Sequence, residues 1–388
     1  MNKINPAHLL TITNLCKSLL LSALLLTLAC AEKDKDENGN VPNADVNLEI
    51  ETTSDSRGQA GISFLSGEGI SKLAVTAITD NDTDIRFTRV SGGPNNYLNP
   101  RGVALSLSSE FFKYSSTVSA PSRIADPSIS EGMRFDVGVQ LRGGRGNLNG
   151  KKVTFVITSR KDNNMESGQL PLNIFYVGGV GREQSTKDAV SRALQEARSI
   201  FSRAAGISLR IEETEIAGPN IIPQPFEGDA LYLRGSESVA SPAINVFIGG
   251  DIQGGTAGEL LGLAAGIPGP PVPSRKSGVA ISIFSAAGAD GRFDNEDIRL
   301  LGETIAHESA HHMGLFHPVD FSGASVTGTD PLADTDECSF FTQCASNDTL
   351  IRNLMFPNPV SGPDGNFLPQ NNLTTEQRGV VNRYVAVD

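Results

Sequence analysis

The 388 residues carry 44 acidic against 32 basic side chains, a formal net charge of −12, with 39% hydrophobic residues and no Trp. That balance is ordinary for a soluble globular chain and speaks against nucleic-acid binding, which draws on a basic patch. The length accommodates two domains and a short appendage.

The first eighteen residues, MNKINPAHLLTITNLCKS, hold Lys3 and Lys17 and no acidic residue, and the apolar run LLLSALLLTLA (Leu19–Ala29) ends at Cys30. A charged start, a short apolar stretch and a small residue at the cut make an export leader. The run is too short to span a bilayer, which needs roughly 20 apolar residues. The segment LTLAC resembles a bacterial lipobox. The resemblance implies cleavage ahead of Cys30, removal of residues 1–29 and lipidation of Cys30. With no Asp directly after Cys30, it also implies an outer-membrane anchor at the cell surface or in the periplasm. An ordinary signal peptide cut nearby is the other reading. Cys16 would leave with the leader and Cys30 would carry lipid. Cys338 and Cys344 remain, a close pair for which an oxidising compartment favours a disulfide over two free thiols.

Residues 30–47 are polar and charged and read as a flexible tether. From 48 to 167, short runs such as KLAVTAIT, MRFDVGVQL and KKVTFVITS alternate between Gly-, Asn-, Pro- and Ser-rich breaks. That texture predicts antiparallel strands and a small β-sandwich-like domain with no catalytic constellation. A spacer, an adhesive module and a pro-segment are all open for it.

The pattern changes again over residues 170–388. LNIFYV (Leu172–Val177) reads as a buried strand, followed by a helix with Ser185 as N-cap and Gly206 as its stop. ISLRIE, AINVFI (Ala243–Ile248) and GVAISIF (Gly278–Phe284) are further strands. The fold class expected is α+β: an all-β domain, then a mixed twisted sheet of about five strands with an active-site helix and a backing helix.

Four of the chain's five histidines fall in HESAHHMGLFH (His307–His317). DNEDIRLLGETIAHESAHHMG (Asp294–Gly314) reads as one helix, capped by Asp294 and ended by Gly314. His307 and His311 sit one turn apart on the same side, so two imidazoles can converge on one ion. Glu308 is rotated away from the ion but within reach of a water beside it. Gly314 permits the turn that returns His317 as a third ligand. Three neutral ligands leave a fourth position open, as in a catalytic zinc site. His312 points about 100° away from the ligand side, toward a supporting or solvent-facing role.

His307-Glu308-x-x-His311-x-x-Gly314-x-x-His317 resembles the metzincin signature H-E-x-x-H-x-x-G-x-x-H. The resemblance implies a Zn2+-dependent endopeptidase in which Glu308 acts as general base and acid on the water at the metal. It also implies a methionine turn in RNLMFP, with Met355 as a hydrophobic floor beneath the ligands. Pro357 stands where some members have a tyrosine, so no tyrosine is assigned to catalysis. GTDPLADTDEC (Gly328–Cys338) is similar to the pappalysin branch, with Asp336 in place of a proline. That branch can bind structural Ca2+ in this loop, and Asp330, Asp334, Thr335 and Asp336 offer hard oxygen ligands. Taken alone, the loop is a solvated acidic segment. The stretch Leu261–Ile267 corresponds to the substrate-binding edge strand of the family. The expected partners are a protein or peptide substrate and, through the lipid, a membrane. Two rivals stand beside this reading. One is an adhesive surface lipoprotein whose zinc domain is vestigial or latent; the other is a zinc hydrolase of a non-peptide amide.

Overall fold

The computed structural model describes residues 43–44, 47–79, 83–98, 110–143, 147–254, 260–288 and 290–388. The leader, Cys30 and most of the tether lie outside the described residues. Strand pairing begins at Asn43–Ala44, which run parallel to Leu65–Ser66, inside the stretch read as tether. Ladder bonds are made by the main chain, so a segment poor in apolar side chains can still pair.

Two β-sheets follow. One is built around Gln59–Ser66, Arg134–Gly143 and Thr83–Gly92, the other around Asn47–Thr53, Lys152–Arg160, Lys72–Thr79 and Ser115–Ala120. Within these sets the strands are antiparallel. Alternation makes the core: Phe135, Val137, Val139 and Leu141 are buried along one strand, and Val153, Phe155 and Ile157 along another. Phe64 stacks on Phe135 with ring centroids 5.2 Å apart.

The chain then enters a five-stranded sheet. In chain order its strands are β1 (Gly168–Val177), β2 (Ile207–Ile216), β3 (Ile244–Gly249), β4 (Gly262–Ala264) and β5 (Val279–Ser282). The order across the sheet is β2-β1-β3-β5-β4, with every pairing parallel except β4 on β5. Leu170 to Val177 are all buried, as expected of a strand covered on both faces. Helix α1 (Gln184–Ile200) returns from β1 to β2, burying Ala189, Val190, Ala193, Leu194, Ala197 and Ile200. It starts ahead of the Ser185 cap expected from sequence, with Glu183 at the N-cap and no side-chain cap bond. The run expected to end as strand at Phe284 stops at Ser282, whose hydroxyl caps a short helix, Ile283–Ala286. Helix α2 (Asn295–His312) packs between α1 and the β5–β4 side of the sheet, and α3 (Thr375–Asn382) closes the chain.

Residues 42–388 form one compact unit. The reason lies in bonds across the boundary read from sequence. Lys72 Nζ donates to the carbonyl of Val387 at 2.9 Å, and Arg160 reaches the carbonyl of Val385 and the carboxylate of Asp388, each at 3.0 Å. Lys113 pairs with Glu227, and the Arg275 guanidinium lies over the Tyr114 ring. The architecture is a mixed α/β arrangement of several sheets. Among the described residues no helix is long and apolar enough to cross a membrane.

Candidate metal centre

Helix α2 begins with a reciprocal cap. Asp294 accepts from the N–H groups of Glu296 (2.7 Å) and Asp297 (3.0 Å), and Asp297 accepts from the N–H of Asp294 (2.9 Å). This satisfies helix donors that would otherwise be orphaned. Ile298, Leu301 and Ile305 bury one stripe, which fixes the rotation of the helix and hence the direction of His307 and His311. At the other end Gly314 takes φ 116°, a conformation that L side chains rarely adopt. The chain doubles back there, and Leu315 N–H donates to the Ala310 carbonyl at 3.0 Å. His317 is thereby carried beside the helix.

The Nε2 atom of His317 lies 3.2 Å from that of His307 and 3.0 Å from that of His311. The opposite nitrogens are all engaged. His307 Nδ1 donates to the Leu354 carbonyl at 2.7 Å and His311 Nδ1 to the Leu315 carbonyl at 2.6 Å. His317 Nδ1 is 2.8 Å from Asp320 Oδ1. Carbonyl oxygens only accept, so the proton of each neutral ring on the helix sits on Nδ1 and its Nε2 offers a bare lone pair. Burial, helped by the neighbouring His317, holds His307 down to about 3, while burial and both neighbouring imidazoles hold His311 well below the usual range. Both rings are therefore neutral at physiological pH. Bare lone pairs facing one another repel unless a cation stands between them. Ligand nitrogens at about 2.0–2.1 Å from a tetrahedral ion lie about 3.3 Å apart, close to the spacing here. These three histidines could hold a metal ion.

Glu308 follows the first histidine and is buried. Burial raises its carboxyl to about 8, against the opposing pull of the Ala264 N–H. It faces β4, where Gly262 leaves room for it: a Cβ there would stand 2.6 Å from Glu308 Cγ. His307 and Glu308 line a cleft of roughly 220 Å³ with Leu260, Leu261, Gly262 and Pro357. No described residue of the sandwich lines that cleft. Strand β4 forms one edge of its sheet and is shorter than the Leu261–Ile267 segment read from sequence. The cis peptide bond between Ile267 and Pro268 lies beyond it.

Met355 is fully buried, in one apolar cluster with Ala306, Ala310 and Met313 of the helix region. Its N–H donates to Asn353 Oδ1 at 2.9 Å, and Asn353 is tied to Gln377 of α3 at 2.8 Å. The preceding carbonyl, from Leu354, is the one that orients His307. The same turn therefore supplies packing and a ligand's hydrogen-bond partner.

His312 is fully buried, which removes the solvent-facing reading. Its Nε2 lies 3.2 Å from the Pro270 carbonyl, and its ring meets Tyr384 edge-on at 6.0 Å. Tyr384, remote in sequence, donates its hydroxyl to the Gly269 carbonyl at 3.2 Å. Burial holds His312 down to about 4, so it is a neutral brace for the end of the helix.

The acidic loop is held by hydrogen bonds to its own turns and to the start of α3. Asp330 Oδ1 accepts from Thr335 Oγ1 (2.6 Å) and from the Leu332 N–H (3.1 Å). Asp334 accepts from Thr374 Oγ1 (2.7 Å) and the Glu376 N–H (2.9 Å) at the start of α3. Asp336 accepts from Asn347 Nδ2 (3.0 Å). Among the described residues the histidine triad is the group of His, Cys, Asp or Glu side chains whose ligand atoms converge. In this structure the three aspartates cap turns and the start of a helix. Cys338 and Cys344 form a disulfide, Cα atoms 5.4 Å apart, that closes the loop following this segment.

Sequence reasoning missed Asp320, the carbonyls of Leu315 and Leu354, Gly262 and Tyr384. Only Asp320 left a signal, as an acidic residue three positions after the third histidine.

No protein-family model matches the sequence, and no curated protein does. Among solved structures, metalloproteinase-II from Bacteroides fragilis is similar at 14% identity and a TM-score of 0.34, over 58% of this chain. The chain spans 55% of that structure's length. A family two carbohydrate esterase from Clostridium thermocellum in complex with cellohexaose is similar at 14% identity and a TM-score of 0.14, over 52% of this chain and 61% of its own. At such scores neither likeness carries an argument, and the functional reading rests on the site itself.

Proposed function

We propose that this chain is a zinc-dependent endopeptidase of metzincin type, exported and held to a membrane by lipid on Cys30. The observation that carries the enzymatic reading is the convergence of three Nε2 atoms beside a buried carboxyl group, in a cleft bounded by an antiparallel sheet edge. The export reading is supported by the leader sequence and by the Cys338–Cys344 disulfide.

His307, His311 and His317 would hold the ion, each ring oriented through its Nδ1. Zinc, when bound at such a site, acidifies water and polarises a carbonyl group. Glu308 then accepts a proton from the attacking water on a carboxylate oxygen and returns it to the nitrogen of the departing amine. Its burial suits this exchange, since a carboxyl lifted from its ordinary value binds a proton more readily near neutral pH. Strand β4 would orient the substrate. Leu261 and Ala265 bond toward β5, so by antiparallel alternation Gly262 and Ala264 turn their main-chain groups away from it to the open edge, where the Ala264 N–H meets Glu308. An extended peptide can pair there as an added strand. That geometry favours a peptide over a compact amide. Glu308 stands beside the intact histidine triad, which speaks against a vestigial site.

The test compares metal content and hydrolysis on one preparation, using the chain from residue 30 with Cys30 replaced, beside Glu308→Ala. About one zinc per chain in both proteins, with cleavage of a mixed peptide library only by the parent, is the expected result. Parent-like cleavage by Glu308→Ala would overturn its role, and absence of zinc from the parent would overturn the centre.

A further inference from the structure

The three histidines are not held alike. His307 and His311 lie on a helix and donate to main-chain carbonyls, which no substitution removes. His317 lies beyond the helix, and its Nδ1 meets a side chain, Asp320 Oδ1, at 2.8 Å. Its orientation therefore depends on where one carboxylate is placed.

That placement is built into the hairpin formed by Val319–Ser322 and Ser325–Thr329. Asp320 pairs with Gly328, but the next residue, Phe321, pairs with Val326, so the register shifts between Asp320 and Phe321. Thr327 is the extra residue of this bulge, and its Oγ1 lies 3.3 Å from the Asp320 carbonyl oxygen. A bulge bends its strand and re-aims the side chains next to it. Phe321 turns toward Phe341 and Phe356, with ring centroids 5.4 and 5.9 Å away, and anchors the hairpin in the apolar cluster around Val319. The Asp320 side chain stays half-exposed on the side of His317.

We propose that Asp320 is the positioning residue of the third metal ligand, an inference that rests on the metal-centre reading above. Its carboxylate accepts the Nδ1–H of His317, selects the tautomer with a bare Nε2, and stops the ring from turning away from the other two. Because the carboxylate is exposed, solvent screens its charge, and orientation through the hydrogen bond is the larger effect. An asparagine should then do much of the work, since its Oδ1 also accepts.

The experiment measures zinc affinity by competition with a chromophoric chelator for the parent, Asp320→Ala, Asp320→Asn and Thr327→Ala. Melting temperatures of the metal-free proteins and visible spectra of the cobalt(II) forms accompany it. Asp320→Ala should bind zinc about 10- to 100-fold more weakly, with an altered cobalt spectrum and an unchanged metal-free melting temperature. Asp320→Asn should recover most of the loss, and Thr327→Ala, which removes only the hydroxyl contact to the Asp320 main-chain carbonyl and leaves the carboxylate in place, should bind as the parent does. Parent-like affinity in Asp320→Ala overturns the positioning role and leaves the metal centre standing. Equal weakening in all three variants assigns the effect to hairpin integrity and overturns it as well. A parent that takes up no zinc overturns the centre and the proposal together.

Discussion

Lys72 Nζ donates to the backbone carbonyl of Val387 at 2.9 Å, joining the second sheet of the sandwich to the penultimate residue of the chain. The lysine is fully buried, and its other partner is Asp162 at 3.2 Å. Arg160 holds the same tail through Val385 and Asp388, while Asp388 exchanges main-chain bonds with Gln169 at the start of β1. The tail is thus held between the sheet containing Lys72–Thr79 and the sheet against which helix α2 packs. If residues 48–167 support the second half through this tail, loss of the clamp should weaken both.

Lys72→Met should therefore destabilise the whole of residues 42–388, by about 2–4 kcal/mol, because it strips a buried carbonyl and Asp162 of one donor. Denaturant unfolding followed by probes in each half checks this. A chain beginning at Leu170 should unfold at lower denaturant than the full chain. If it proved equally stable and equally active, the supporting role would be lost and a removable pro-segment would regain ground.

Gly262→Ala probes the approach of the sheet edge to Glu308. The added Cβ would stand 2.6 Å from Glu308 Cγ and 3.0 Å from Thr304 Cγ2, so the carboxylate or the strand must shift. A displacement near 1 Å costs about 10²-fold in rate where geometry is set by one side chain. The expected outcome is that order of loss in kcat with zinc content unchanged. Full activity in this variant would mean that Glu308 does not work from the position described.

Much of the site was legible because its chemistry demands residue types at fixed spacing. Imidazoles four apart on a helix must share a face, and a glycine three residues on permits the return of His317. The carbonyls of Leu315 and Leu354 could not be read, because every residue has one and only the fold decides where it points. Tyr384 braces His312 from 72 residues beyond it, a separation no periodicity reports. The acidic loop is ambiguous for the converse reason. Aspartate caps turns and helices with the same oxygens that bind calcium, and Asp334 is spent on the start of α3. The antiparallel strands of the first half were legible from alternation, but their ties to the second half depend on Lys72 and Arg160, which sit within ordinary strand sequences.

Lys276 gives a pH signature that is independent of the metal. It is buried, with Nζ 4.0 Å from the centroid of Phe112, and burial lowers its pKa from 10.5 to about 7 against the weaker pull of Glu227. Between those values the unfolded chain holds a proton that the folded chain lacks. Stability accordingly rises with pH from about 7 to 10.5, by at most about 1.4 kcal/mol per unit, and below 7 the penalty is constant. Lys276→Met should remove this contribution to the slope and raise stability most at neutral pH and below. Parallel stability curves for the two proteins across that window would show that the amine stays charged in the fold.

Met355 separates packing from chemistry at the base of the site. Its side chain is fully enclosed with Ala306, Ala310 and Met313, and the turn that carries it presents the Leu354 carbonyl to His307. Met355→Ala opens a cavity, with an expected cost of about 2–5 kcal/mol. Relaxation of the turn into that space should also weaken zinc binding, by loosening the partner of His307. Met355→Leu conserves volume and should cost less than about 1.5 kcal/mol with zinc affinity near that of the parent. Paired measurement of unfolding free energy and zinc affinity distinguishes the possibilities. If leucine proved as damaging to zinc binding as alanine, the thioether itself would matter, and an apolar floor would be an insufficient account of this residue.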